Sequence, residues 1–107
     1  MKLSDAILKG CEMTPKQSIG WTNGIDATCA MGAAVQALFG GEISELRTRL
    51  NDAKTYEVLI DYFPILRETD NGYSIFSQII TMNDRDCSSR EEIAQYIAML
   101  ERKLGFD

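Results

Sequence analysis

With 107 residues, 45% of them hydrophobic and 25% charged, the chain has the size and composition of one globular domain with a core that needs no disulfide or metal staple. Its net charge of −5, with eleven basic residues scattered singly apart from Arg102-Lys103, argues against generic phosphate-backbone binding, which draws on clustered Lys and Arg, and suits solubility or docking to a basic partner. No apolar run nears the roughly 18 residues that span a bilayer, and Asp5 and Lys9 break up any signal-peptide apolar stretch, so a cytoplasmic protein that does not enter the membrane is expected.

The first element is predicted over Asp5 to Glu12. Ser4 is placed as its N-cap, Leu3 and Leu8 as a hydrophobic staple, and Ile7, Leu8 and Cys11 as its apolar face. Gly10 weakens it near its end. Thr14-Pro15-Lys16-Gln17 fits a cap with Pro at the first helical position, hence one extra turn. From Gln17 to Thr28 the helical period is lost. Asn23-Gly24 is the strongest hairpin signal, since both residues accept positive φ, and a small β-hairpin at 17–28 competes with a loop anchored by Trp21.

Cys29 to Phe39 differs in kind, with Gln36 its only polar side chain. A helix apolar on all sides is buried on all sides, so this segment is the expected central helix. Its small residues Gly32, Ala33, Ala34 and Ala37 permit close neighbours, Thr28 or Asp26 is the expected cap, and Gly40-Gly41 the stop. Helices follow over Glu42 to Ala53, through Ile43, Leu46 and Leu50, and over Lys54 to Leu66, through Val58, Leu59, Tyr62, Phe63 and Leu66, with Pro64 disrupting the second near Phe63. Glu68 to Gly72 reads as a loop. Tyr73 to Met82 fits a helix capped by Ser74 better than a strand, because no other strong strand exists to pair with it. Asn83 to Ser88 reads as a polar turn. The last helix, Ser89 to Leu104, has a capping box of Ser89 and Glu92, acidic residues at its start, basic ones at its end, and a stop at Gly105. The fold class expected is all-α: about five short helices around residues 29–39.

Few constellations carry chemistry. There is no His, which removes the commonest general base and metal ligand. Cys11, Cys29 and Cys87 form no CxxC and read as reduced thiols. Cys29 stands at a helix N-terminus, where a thiol pKa is lowered, yet no base accompanies it. Asn83-Asp84-Arg85-Asp86 imitates the start of a calcium loop, but neither the glycine of the sixth position nor the glutamate of the twelfth stands where it is needed. Ser88 to Ile97 imitates the first helix of a helix-turn-helix, yet the helix runs on and the remaining chain has no room for the second. No cofactor or metal ligand set is expected. The candidate partner-contact residues are Asn83, Asp84, Asp86 and Trp21.

The succession Lys2-Leu3-Ser4-Asp5-Ala6-Ile7, then Thr28-Cys29-Ala30-Met31-Gly32-Ala33-Ala34, then Phe63-Pro64, then Ile79-Ile80-Thr81-Met82-Asn83-Asp84, then Ser89-Arg90-Glu91-Glu92-Ile93-Ala94 resembles a group of small uncharacterised proteins of phages and prophages that share a C-A-x-G-A, N-D and [ST]-R-E-x-I-A pattern. It is also similar, at the last two places, to an actinobacterial domain of unknown function. Residues 54–72 lack the Cys-Pro-x-Cys pair of some relatives, and Ser88 replaces a frequent Trp, so no metal site transfers. The resemblance implies a phage or prophage accessory protein, supplies no catalytic residue, and with the missing groups leads to the expectation of a non-enzymatic protein that binds a host protein. The alternatives are a small-molecule or metal site, or an enzyme, using Trp21, Cys29 and Asp84, and a DNA-binding regulator, which the acidity disfavours.

Overall fold

The computed structural model describes residues 1–18, 22–23, 27–40 and 53–106. The protein is mostly helical, with five α-helices among the described residues: α1 (Leu3–Met13), α2 (Ala30–Phe39), α3 (Ala53–Tyr62), α4 (Ile75–Asp84) and α5 (Arg90–Leu104). A 3-10 turn, Pro64–Arg67, follows α3. Five two-residue strands are also found among the described residues: β1 (Lys16–Gln17), β2 (Thr22–Asn23), β3 (Ala27–Thr28), β4 (Thr69–Asp70) and β5 (Tyr73–Ser74). The expected helix over Glu42 to Ala53 lies outside the described residues but for Ala53, which opens α3. Among the described residues no helix is long and apolar enough to cross a membrane.

The centre is α2, as its composition dictates. Every residue from Ala30 to Gln36 is buried. Around it pack Leu3, Ala6 and Ile7 of α1, Leu59 of α3, Ile65 and Leu66 of the 3-10 turn, Ile75 and Ile79 of α4, and Ile93, Ile97 and Leu100 of α5. Each such aliphatic side chain contributes about 1.5–3 kcal/mol by leaving water. The closest approach is between α1 and α2, where a Cβ at Gly10 would overlap the backbone of Ala33. Gly10 is therefore the seat of the α1–α2 crossing, more than a weak point of α1. At the other end of α2, Phe39 meets Tyr62 edge to face, with ring centres 6.0 Å apart.

Several local expectations need correction. Helix α1 starts two residues early: Lys2 is the N-cap, without a side-chain cap bond. Ser4 lies inside the first turn and donates its hydroxyl to Glu101 of α5. Leu3 is in the core while Leu8 is exposed, so the two do not staple. After α1 there is no extra turn. The Thr14 amide closes the helix on Gly10 O, and Lys16 and Gln17 pair in parallel with Ala27 and Thr28. The hairpin at 17–28 forms, but with Thr22 opposite Thr28 and Asn23 opposite Ala27, so Asn23 is a strand residue. The two-residue turn of the molecule is the other Asn-Gly: Asn71 and Gly72 have φ of 56° and 83° and join Asp70 to Tyr73, as a type I′ turn requires. In the 54–66 segment Leu59, Phe63 and Leu66 point inward, whereas Val58 and Tyr62 are exposed.

The Ser74 cap is found, its hydroxyl accepting from the Ser77 amide at 3.1 Å. Both halves of the Ser89–Glu92 capping box are present, and Gly105 ends α5 in the left-handed region at φ 80°. Asn83 and Asp84 are not in a turn. They are the last residues of α4, and the chain reverses over Arg85 to Ser88, with Cys87 at φ 55°.

Candidate functional site

Three segments distant in sequence meet beside the N-terminus of α2: residues 14–18, residues 28–30 and residues 83–90. Polar side chains tie them together. Asn83, on the inward face of α4 and only 3% exposed, is at the middle. Its Oδ1 accepts from the Ala30 amide at 3.1 Å and from Gln17 Nε2 at 2.9 Å. Its Nδ2 donates to Ser18 O and to Asp84 Oδ1, both at 2.8 Å. All four hydrogen-bonding positions of the amide are thus used, which fixes its orientation. Gln17 uses three of its four positions: its Nε2 also donates to Ser88 O at 2.7 Å, and its Oε1 accepts from the Arg90 amide at 3.1 Å.

Arg90 completes the knot. Its side chain is 1% exposed and meets oxygens of the chain instead of a carboxylate. One terminal nitrogen donates to Thr14 O at 2.7 Å and to Thr28 Oγ1 at 2.9 Å, and the other to Pro15 O at 2.6 Å. Thr14 is the C-cap of α1, so the cation sits at the negative end of that helix's dipole, which supplies the compensation a buried charge needs. Nε has no acceptor. Beneath it, the Thr14 hydroxyl donates to Gln36 Oε1 at 2.6 Å, which gives the single polar residue of α2 its partner.

The expected caps of α2 are replaced. Asp26 lies outside the described residues, and the Thr28 hydroxyl serves Arg90. The cap is Cys29, whose Sγ accepts from the Gly32 amide at 3.3 Å, helped by Asn83 from outside. The lowering that a helix N-terminus gives a thiol is outweighed there. Burial pushes Cys29 up to about 11, outweighing the amides of Gly32 and Met31, and the nearby Asp84 adds to the rise. The thiol is therefore protonated at neutral pH and is a poor nucleophile.

Next to the knot, Cys29, Ala30, Met31, Ile79, Ile80, Asn83 and Asp84 line a cavity of about 70 Å³. Ligand pockets usually measure about 300–1,000 Å³, so this one has room for water or a small ion only. Of the residues singled out in the sequence, Cys29, Asn83 and Asp84 are brought together here. Asp86 is exposed, 3.7 Å from Arg85, and Trp21 lies outside the described residues. Among the described residues no group of three or more Cys, Asp or Glu is placed to hold a metal ion.

A second polar group joins the β4–β5 turn to α4 and α5. The Tyr96 hydroxyl donates to the Asp70 carboxylate, with Gln78 Oε1 at 2.7 Å, and Gln78 Nε2 donates to Asp70 O and to Tyr73 O. Burial, then the Asp70 carboxylate, pushes the Tyr96 phenol up to about 12.

Gln17, Arg90, Glu101 and Ser4 were not legible as site residues in motif form. For two of them the signal was present. Arg90 stands three residues before Ile93 and seven before Ile97, and Glu101 four after Ile97, so both fall on the buried stripe of α5. Of the stretches that carry the phage-type resemblance, Cys29-Ala30, Asn83-Asp84 and Ser89-Arg90 meet here, whereas residues 2–7 and Phe63-Pro64 take no part in the knot. No family model, curated protein or solved structure matches this chain.

Proposed function

We propose that this chain is a non-enzymatic accessory protein of phage or prophage type that acts by binding another protein, a host protein with a basic surface. The observation that carries this reading is where the motif residues spend their hydrogen bonds. Asn83, Gln17 and the Arg90 guanidinium are engaged with the chain's own backbone and with one another, and the neighbouring Cys29 thiol stays protonated. The residues that looked chemical in the sequence therefore serve as an internal brace. The net charge of −5 is left as the property presented to a partner, and it favours a basic one and fast, salt-sensitive association.

The test is affinity capture from bacterial lysate with the full chain as bait, identification by mass spectrometry, and repetition over a salt series. A basic protein recovered at low salt and released as screening increases is the expected result. Repeated capture of nothing, together with thermal stabilisation by a metal ion or nucleotide, overturns the reading in favour of a ligand-binding protein or enzyme. A salt-sensitive gel shift with duplex DNA overturns it in favour of a regulator.

A further inference from the structure

Toward the C-terminal end of α5, away from the knot at its start, the start of α1, the Tyr62–Ile65 corner and Phe106 surround a cavity of about 430 Å³. That is within the size range of small-ligand sites. Its floor is buried: Phe63 and Ile65 are each 2% exposed, and so is Glu101. Phe106, half-buried, forms a wall, and Met1, Lys2 and Asp5 stand exposed at the rim, where water screens their charges.

Glu101 is the buried acidic side chain that borders this cavity. One of its carboxylate oxygens accepts the Ser4 hydroxyl. Glu101 takes part in neither the Arg67–Asp61 nor the Arg85–Asp86 ion pair. A buried carboxylate with one neutral donor is far from compensated, and buried charges are ordinarily paired. Here the carboxylate borders an open cavity with aromatic and aliphatic walls, which is the arrangement that selects a cation carrying an apolar body.

We propose that this cavity binds a small organic cation, an ammonium or guanidinium group on a compact apolar or aryl body, with Glu101 as its counter-ion. This reading and the proposed binding of a protein partner do not depend on each other. A two-dimensional amide NMR titration of the full chain with phenethylammonium tests it, against 2-phenylethanol as a neutral probe of the same shape, in about 0.3 M salt to suppress loose condensation on the acidic surface. The amine should shift the amides of Leu3, Phe63, Glu101 and Phe106 saturably and bind at least tenfold more tightly than the alcohol. Glu101→Gln keeps an oxygen for Ser4 and should erase that tenfold preference. Equal binding of amine and alcohol by the unmodified chain overturns the proposal, as does the absence of shifts at these amides with millimolar amine. Both of those outcomes are read without any variant, so a misfolded Glu101→Gln protein would not obscure the result.

Discussion

At the scale of single residues, the difference between Asn83 and Asp84 decides how the N-D motif should be understood. Removing the Asn83 side chain takes away the side-chain acceptor of the Ala30 amide, a donor to the Ser18 carbonyl and one of the two acceptors of the Gln17 amide. A buried group left unsatisfied costs about 1–3 kcal/mol, so Asn83→Ala should lose about 2–4 kcal/mol in urea unfolding. Asp84, half-buried, accepts from Asn83 and steadies it, and Asp84→Ala should lose about 0.5–1.5 kcal/mol. An equal loss from the two changes would contradict the central place given to Asn83. Cys29 gives a second prediction, in pH. Its pKa rises from an ordinary value of 9.0 to about 11 in the folded chain, chiefly through burial. Below pH 9 both states keep the proton and titration leaves stability unchanged. Between pH 9 and about 11 the unfolded chain releases its proton while the folded chain holds it, so the unfolded state binds fewer protons and stability falls as pH rises. Cys29→Ser keeps a cap and should lessen the fall seen between pH 8.5 and 10.5; melting curves recorded across that range check it. Identical pH slopes for the two proteins would show that Cys11 and Tyr96, both also raised, account for the whole effect. The pairings of this knot were closed to motif reading, because the side-chain bonds from residues 83–90 to the other two segments join residues 53 to 76 apart in sequence, and a side chain's partner across such a gap has no periodic trace.

At the scale of elements, what was legible followed from local physics. Helix α5 carries its own start, stop and stripe, and it forms as expected, with its capping box and its left-handed Gly105. Helix α2 was legible from composition alone, since a segment with a single polar side chain has nowhere to go but the centre. The start of α1 was misread because Ser4 is a good cap in isolation, but a buried Leu3 and a Glu101 across the bundle bind the first turn more strongly than a cap would. The two Asn-Gly pairs make the same point for strands. Asn71-Gly72 forms the tight turn and Asn23 sits in a strand, because two-residue strands are fixed by what they pack on and not by their own propensity. Gly10 supplies the element-scale prediction. In an isolated helix, Gly→Ala stabilises by about 1 kcal/mol. Here the new methyl would meet the backbone of Ala33, which cannot swing aside as a side chain can. Gly10→Ala should therefore destabilise by about 2–4 kcal/mol, whereas Ala6→Gly, which leaves the crossing open, should cost about 1 kcal/mol plus the small loss of a buried methyl. A stabilising Gly10→Ala in thermal unfolding would mean that α1 and α2 lie further apart than described.

At the scale of the whole molecule, the chain's two ends are fastened to its middle by polar bonds as well as by the core. Ser4 reaches Glu101, Thr14 and Pro15 hold Arg90, and Asn83 holds Ala30. Helices α1, α2 and α5 also share one apolar cluster. A domain in which the first, central and last helices are each joined to the others has little scope to open in parts. Amide hydrogen exchange should then show the slowest amides of α1, α2 and α5 opening with a single free energy, equal to that of global unfolding. Asn83 belongs to α4, yet Asn83→Ala should lower that free energy by the same amount in all three helices, because the bond it breaks helps to close the whole fold. If the change instead accelerated exchange only at the end of α4 and the first turn of α2, the knot would be a local clasp, and the three helices would owe their common stability to the apolar cluster alone. The shared opening also bears on function. A protein braced internally in this way offers a partner a preformed surface, and a preformed surface binds without the ordering cost that a folding-on-binding segment incurs.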